Sequence, residues 1–138
     1  MTYKVGMVGS RNFPDEIMVR AAVRALPNYL ESLDFKIYSG GSRGVDSWVA
    51  DETISSFGHG HLVELPASWN KRNRLGKTYF DPNAGRERNG ILVRQCDEVI
   101  VFWDGKSPGS LNVQEWCNRY AIPYNVVRKS EDLYTWKK

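Results

Sequence analysis

The chain has no long apolar run. Nothing in it approaches the roughly 18 consecutive apolar residues that a membrane-crossing helix needs. The opening stretch MTYKVGMVGSRNF breaks its short apolar run with Gly and Arg, so it lacks the apolar centre of a secretory signal. A cytoplasmic location is expected. Cysteine is scarce: Cys96 and Cys117 stand far apart and form no CxxC pair, which excludes a disulfide framework and leaves two reduced, buried thiols. Histidine is scarce too. His59 and His61 share a GHGH stretch with no further ligands at metal-site spacing, so the stretch reads as a turn leading into a strand. Neither a metal nor a resident cofactor is expected. Linkers, internal repeats and low-complexity tracts are also missing. The 138 residues therefore read as one domain, 1–138, with a core over about 3–128 and a tail over 129–138.

What is present is an ordinary globular composition, 41% hydrophobic and 25% charged. The net charge is +3, and its distribution matters more than its size. Residues 67–88 hold six cations (Lys71, Arg72, Arg74, Lys77, Arg86 and Arg88) against Asp81 and Glu87, so this segment carries +4 and the remainder sums to −1. A localised cationic segment suits an anionic partner.

Hydrophobic patterning alternates strands with helices. YKVGMVG over 3–9 reads as a buried strand ending in Gly. A helix is expected over 14–33, with a stripe of Ile17, Ala21, Leu26 and Leu30, acidic residues in its first turn, and a kink or restart at Pro27. Strand 35–39, helix 45–57 and strand 61–66 follow. The stretch PASWNKRNRLGKTYFDPNA reads as a long polar loop. Helix 85–95, the near-continuous apolar strand 97–103, helix 110–120 and strand 123–127 complete the series. The tail suits a short helix or an added strand. This order predicts an α/β fold: a three-layer, Rossmann-like, doubly wound sheet of about five mainly parallel strands.

In such a sheet all strand C-termini lie on one edge, where ligands bind. Four unusual loops converge there: Gly9-Ser10-Arg11-Asn12-Phe13, Ser39-Gly40-Gly41-Ser42-Arg43-Gly44, Pro66-Ala67-Ser68-Trp69-Asn70, and Asp104-Gly105-Lys106-Ser107-Pro108-Gly109-Ser110. The second and fourth each lead into a helix, whose first N–H groups and positive dipole end favour phosphate. Ser107 and Ser110 are equally good as plain helix caps. Arg11, Arg43 and Arg88 can make bidentate contacts to phosphate oxygens. Asp46 suits a ribose hydroxyl or the helix dipole, and Trp69 or Trp103 could stack on a base. The expected ligand-binding set is Gly9, Ser10, Arg11, Gly40, Gly41, Ser42, Arg43, Gly44, Asp46, Trp69, Arg88, Asn89, Asp104, Gly109 and Ser110.

Taken in order, GSRNF, SGGSRGVD, PASW, AGRERN and CDEVIVFWDGKSPGS resemble the SLOG superfamily of Rossmann-like proteins, and most of all its small YspA-like branch, found in bacteria and phages. The resemblance covers roughly residues 4–127. It implies binding of a nucleotide or nucleotide-derived signal by Gly9, Ser10, Arg11, Gly40, Gly41, Gly44, Asp46, Arg88, Asn89, Gly109 and Ser110, as a sensor or sequestering protein. The LOG relatives cleave the N-glycosidic bond of nucleoside monophosphates with an arginine from an ERK-like segment and a glutamate from PGGxGTxxE. RERN supplies Arg88 for the first, but PGSLNVQE puts Val113 where the glutamate belongs. Glu115 lies two residues on, about 200° further round the helix, and should face away. The departure favours binding over catalysis. The alternative is a nucleotide-processing enzyme of N-glycosidic or phosphoribohydrolase type using Arg88 and Asp46. The DprA relatives bind single-stranded DNA, which the basic segment and Trp69 suit, but nucleic acid ranks last because the cluster is short. Relatives often form dimers, and exposed aromatics such as Trp136 would suit a homo-oligomer interface.

Overall fold

A computed structural model describes residues 1–134; Trp136, named above for an interface, lies outside that range. Its first strand, β1 (Tyr3–Gly9), is central because Val5 to Val8 are buried on both faces. It pairs in parallel with β2 (Phe35–Ser39) on one side and with β6 (Glu98–Phe102) on the other. Outward from these lie β3 (Leu62–Glu64) and β7 (Tyr124–Val127), also parallel, giving the order β3-β2-β1-β6-β7. The chain moves outward from β1 through β2 to β3, then crosses to the far side for β6 and β7. The direction of winding therefore reverses between β1 and β6, which opens a crevice at their C-terminal ends.

Helices cover both faces, so the predicted three-layer α/β sheet is what forms. On one side α1 (Glu16–Leu30) and α2 (Val45–Phe57) enclose a core of Val5, Met7, Val19, Val23, Leu26, Phe35, Ile37, Ile100 and Phe102. On the other, α3 (Ala84–Gln95) and α4 (Pro108–Tyr120) cover Val8, Tyr38, Leu92, Val99, Val101 and Val113. Cys96 and Cys117 are free and buried in this second core, where burial pushes both thiols up, Cys117 to about 12. Both stay protonated and unreactive at neutral pH.

Several expectations need correction. The first helix starts at Glu16 because the Asp15 side chain caps it, accepting from the Met18 N–H at 3.0 Å. Its buried face is Met18, Val19, Ala22, Val23 and Leu26, whereas Ile17 is 81% exposed and Ala21 is exposed. The expected stripe was thus rotated about one residue off the true face. Pro27 neither stops nor restarts this helix. It removes one bond, from its own missing N–H to the Val23 carbonyl, but the helix runs on to Leu30 and the Pro27 carbonyl accepts the closing bonds from Glu31 and Ser32. The third strand is shorter than expected, since His59–His61 form a short 3-10 turn and the pairing ends at Glu64. His61 Nδ1 lies 2.9 Å from the Phe35 carbonyl.

The long polar loop is not structureless. It folds into an antiparallel hairpin, β4 (Asn70–Arg72) with β5 (Thr78–Phe80). Asn73 closes the turn, its side-chain oxygen accepting from the N–H groups of Leu75 and Lys77. Lys71 ties the hairpin to the start of α3 through Asp81 and Glu87. The tail makes a 3-10 turn over Ser130–Asp132, and Tyr134 then stacks on Tyr29 with ring centres 4.0 Å apart. At the edge away from the crevice, the fully buried Glu98 accepts from the hydroxyls of Tyr3 and Tyr29. No described helix is long and apolar enough to cross a membrane.

Candidate functional site

The β1–α1 loop is the floor of the crevice. Ser10 is buried beneath it, and its hydroxyl links the two strands that flank the winding reversal. The hydroxyl accepts from the Asp104 N–H at 3.1 Å and lies 3.1 Å from the Ser110 hydroxyl. Above this floor opens a cavity of about 520 Å³. Gly9, Arg11, Gly40, Ser42, Asp46, Trp69, Arg88, Asn89, Asp104, Gly109 and Ser110 line it. A smaller chamber of about 280 Å³ adjoins it and adds Gly41 and Arg43 from the expected set. The four loops thus do meet. Ser10 and Gly44 line neither space: Ser10 supports the floor and Gly44 serves the backbone.

The two expected phosphate-binding helix starts turn out unlike each other. At α2 the chain takes up the Val45 N–H and the loop N–H groups ahead of the helix, while the N–H groups of Asp46 and Ser47 have no partner among the described residues. Gly44 has φ 74° and ψ −128°, and a Cβ there would lie 2.4 Å from the Arg11 carbonyl oxygen. The Val45 N–H is directed at the Ser10 carbonyl, and Asp46 folds back so that its carboxylate accepts from the N–H groups of Gly9 and Ser42. At α4 the first turn is open. Pro108 has no N–H, the Ser107 side chain makes no cap, and the first N–H to find a helical carbonyl is that of Leu111. The N–H groups of Gly109 and Ser110 have no partner among the described residues, and both residues line the cavity. A Cβ on Gly109 would meet only the Ser107 hydroxyl, at 3.9 Å.

Arg88 enters from α3. It donates to the carbonyls of Gly40 and Leu65, and its Nε donates to the Asn89 side chain at 2.9 Å. Asn89 in turn donates to Asn112 at 3.1 Å and to the Gly109 carbonyl at 3.4 Å, so Arg88 is braced against the start of α4. Its Nη2 has no partner among the described residues. Gly40 is the wedge here, because a Cβ would lie 2.7 Å from Asp46 Oδ2 and 2.8 Å from Arg88 Nη1. Burial holds the Asp46 carboxyl above the usual carboxylate range, with Arg88 pulling the other way, and burial also lowers the Arg88 guanidinium.

Asp104 plays a different part. Its carboxylate accepts from the N–H groups of Ser107 and Lys106 at 2.7 and 2.9 Å, which holds it below the usual range and shapes the loop before α4. Trp103 donates its indole N–H to the Ser107 carbonyl and lies under Arg128, so it packs the loop and does not line the cavity. Trp69 stacks flat on Phe80 of the hairpin and lines both chambers. Val113 is on the cavity wall, while Glu115 is exposed and outside it. Asn12, Lys106 and Asn112 were missed. The first two stand inside loops already singled out, and Asn112 is a polar residue between apolar Leu111 and Val113, a pattern that marks a buried polar contact. Among the described residues no group of three or more His, Cys, Asp or Glu could hold a metal ion.

Fold and crevice together define a Rossmann-like α/β protein with an arginine-bearing cavity where the winding reverses. Among solved structures, the chain is similar to DNA processing protein A (DprA) from Streptococcus pneumoniae, at 19% identity and a TM-score of 0.71 over 97% of this chain and 54% of that one. It is similar to DprA from Helicobacter pylori, described for its single-stranded DNA binding mode, at 20% identity and a TM-score of 0.65 over 90% and 64%. It is also similar to the molybdenum cofactor binding protein from Rippkaea orientalis, at 18% identity and a TM-score of 0.66 over 91% and 76%. The chain spans 54% to 64% of the two DprA structures. DprA is among the relatives to which the sequence motifs pointed, and the likeness in structure shows the Rossmann-like fold. No family model and no curated protein matches the chain.

Proposed function

We propose that the cavity binds a nucleotide or nucleotide-derived ligand, with a phosphate at the start of α4 and the protein acting as a sensor or sequestering agent of the YspA-like kind. The observation that carries this reading is the unpartnered N–H pair of Gly109 and Ser110, opening into a cavity that also holds Arg88 and Arg11. Trp69 offers a ring for the base. Binding is favoured over hydrolysis because Val113 supplies no carboxylate, Glu115 lies outside, and the Asp46 oxygens are already engaged by two backbone N–H groups. The decisive test is native mass spectrometry of the purified protein, followed by incubation with a panel of nucleoside 5′-monophosphates and chromatography of the products. A co-purifying or added nucleotide recovered intact is the expected result. Released free base would replace this reading with the hydrolase, and no nucleotide bound at any concentration would remove it.

One feature favours a second reading. The hairpin exposes Arg72, Arg74 and Lys77 beside the Trp69–Phe80 stack, a combination that suits single-stranded nucleic acid. Affinity for single-stranded DNA that falls steeply with salt would raise this reading above the first.

A further inference from the structure

The smaller chamber sets a condition on the ligand. It is lined by Arg11, Arg43 and Arg88, and no Asp or Glu lines it. None of these three guanidinium groups has a carboxylate within salt-bridge reach among the described residues, and Arg11 and Arg43 have no described hydrogen-bond partner. Arg20 and Lys71, by contrast, are held by carboxylates: Arg20 meets Glu16, Asp51 and Glu52, and Lys71 meets Asp81 and Glu87. Arg11 and Arg43 have no described counter-ion and Arg88 is offset in part by Asp46, so the recess keeps a positive potential, and an arginine fork matches phosphate oxygens well.

The chamber is also separate from the start of α4. Arg11, Gly40, Ser42, Trp69 and Arg88 line both spaces, which adjoin along these residues. Gly109 and Ser110 line only the larger space, and Arg43 only the smaller. A single phosphate can satisfy one end or the other. Two phosphoryl groups separated by a sugar reach further apart than two joined by one bridging oxygen, and so suit two places on either side of these shared residues. We propose that the site is built for a nucleoside carrying two phosphates separated by its sugar, one at the α4 start and one among the three arginines. The inference rests on the nucleotide-binding reading above and narrows it from nucleotides to nucleoside bisphosphates.

Isothermal titration with three sets of probes tests it: nucleoside 5′-monophosphates, 5′-diphosphates and 3′,5′-bisphosphates of the four common bases. For the preferred base, the 3′,5′-bisphosphate should bind at least tenfold more tightly than the monophosphate and more tightly than the 5′-diphosphate. In Arg43→Ala the ratio of bisphosphate to monophosphate affinity should fall to near one. Ala67→Leu, which fills the chamber without touching its charge, should lower the ratio in the same direction. A bisphosphate no tighter than its monophosphate overturns the inference and leaves nucleotide binding standing. A gain that survives both variants overturns it as well, because the second phosphate would then lie elsewhere. Failure of every nucleotide to bind sinks both readings together.

Discussion

The starts of α2 and α4 look alike in sequence and differ in what they can do. Each follows a strand through a glycine-bearing loop, each opens on the same sheet edge, and each points its first N–H groups the same way. At α2 Ser10 accepts from the Val45 N–H, Arg11 packs against Gly44, and the Asp46 carboxylate of the chain itself takes the loop N–H groups of Gly9 and Ser42; the N–H groups of Asp46 and Ser47 have no described partner, but Ser47 does not line the cavity. At α4 the chain withholds every such group. Proline removes one donor, serine leaves the cap unmade, and two N–H groups face a cavity. A glycine-rich turn before a helix is therefore not an anion site in itself. The deciding question is whether a side chain of the protein already acts as the anion.

The largest way to break this comparison is at Gly44. Its backbone angles are open to glycine alone, and a methyl group would collide with the Arg11 carbonyl. Gly44→Ala should lose about 3 kcal/mol or more of stability from backbone strain, read by chemical denaturation. A variant as stable as the parent would show that the α2 start is not closed by packing.

The next effect is at Arg88, which belongs to both ends. Removing it strands the carbonyls of Gly40 and Leu65 and takes away the cation that restrains Asp46. Arg88→Ala should weaken nucleotide binding and also cost about 2 kcal/mol at neutral pH. It is therefore not a purely functional variant. Gly41→Val shares the fault, since Gly41 has φ 73°. The pH dependence carries a definite sign. A carboxyl whose folded pKa is raised favours the native state when protonated, so that stability is present below its unfolded pKa and is lost as pH rises through the folded pKa. Without Arg88 the Asp46 shift grows upward. The stability deficit of Arg88→Ala should shrink as pH falls from neutral toward the ordinary carboxylate range, measured as the difference in Tm from the parent. A deficit that stays constant over that range would mean that Asp46 does not feel Arg88.

Much of this was legible in the residues. Alternating strand and helix patterns gave the order of elements and the edge, and the loops that meet at the cavity were all visible as runs of Gly, Ser, Asn and Arg. Three things were not. The exposed Ile17 misled the helix stripe, because a single apolar residue in the first turn outweighed the true face of Met18, Val19, Ala22 and Val23. The hairpin over residues 70–80 was hidden because its strands are three residues long and exposed, without the apolar alternation that marks a strand. The difference between the two helix starts was invisible because it depends on contacts across 35 residues or so of chain, as between Gly9 and Asp46 or Arg11 and Gly44. Local patterns report propensity, and occupancy of a donor is a tertiary fact.

The smallest disturbance to the fold sharpens the comparison most. Gly109 is exposed in the first turn of α4, its added Cβ would meet only one hydroxyl at 3.9 Å, and its φ is not in the left-handed region. Nothing in the protein asks for glycine there, in contrast to Gly44. If the open turn holds a phosphate, the approach of the phosphate to the backbone is what asks for it. Gly109→Val should leave stability within about 0.5 kcal/mol of the parent, as for other surface changes that touch no buried group. The same variant should weaken binding of a nucleoside monophosphate at least tenfold in isothermal titration. Valine blocks the turn but keeps every charged group in place, so the loss would be assigned to close backbone approach and not to charge. Undiminished binding would move the phosphate away from α4, and the contrast between the two helix starts would then be one of packing alone.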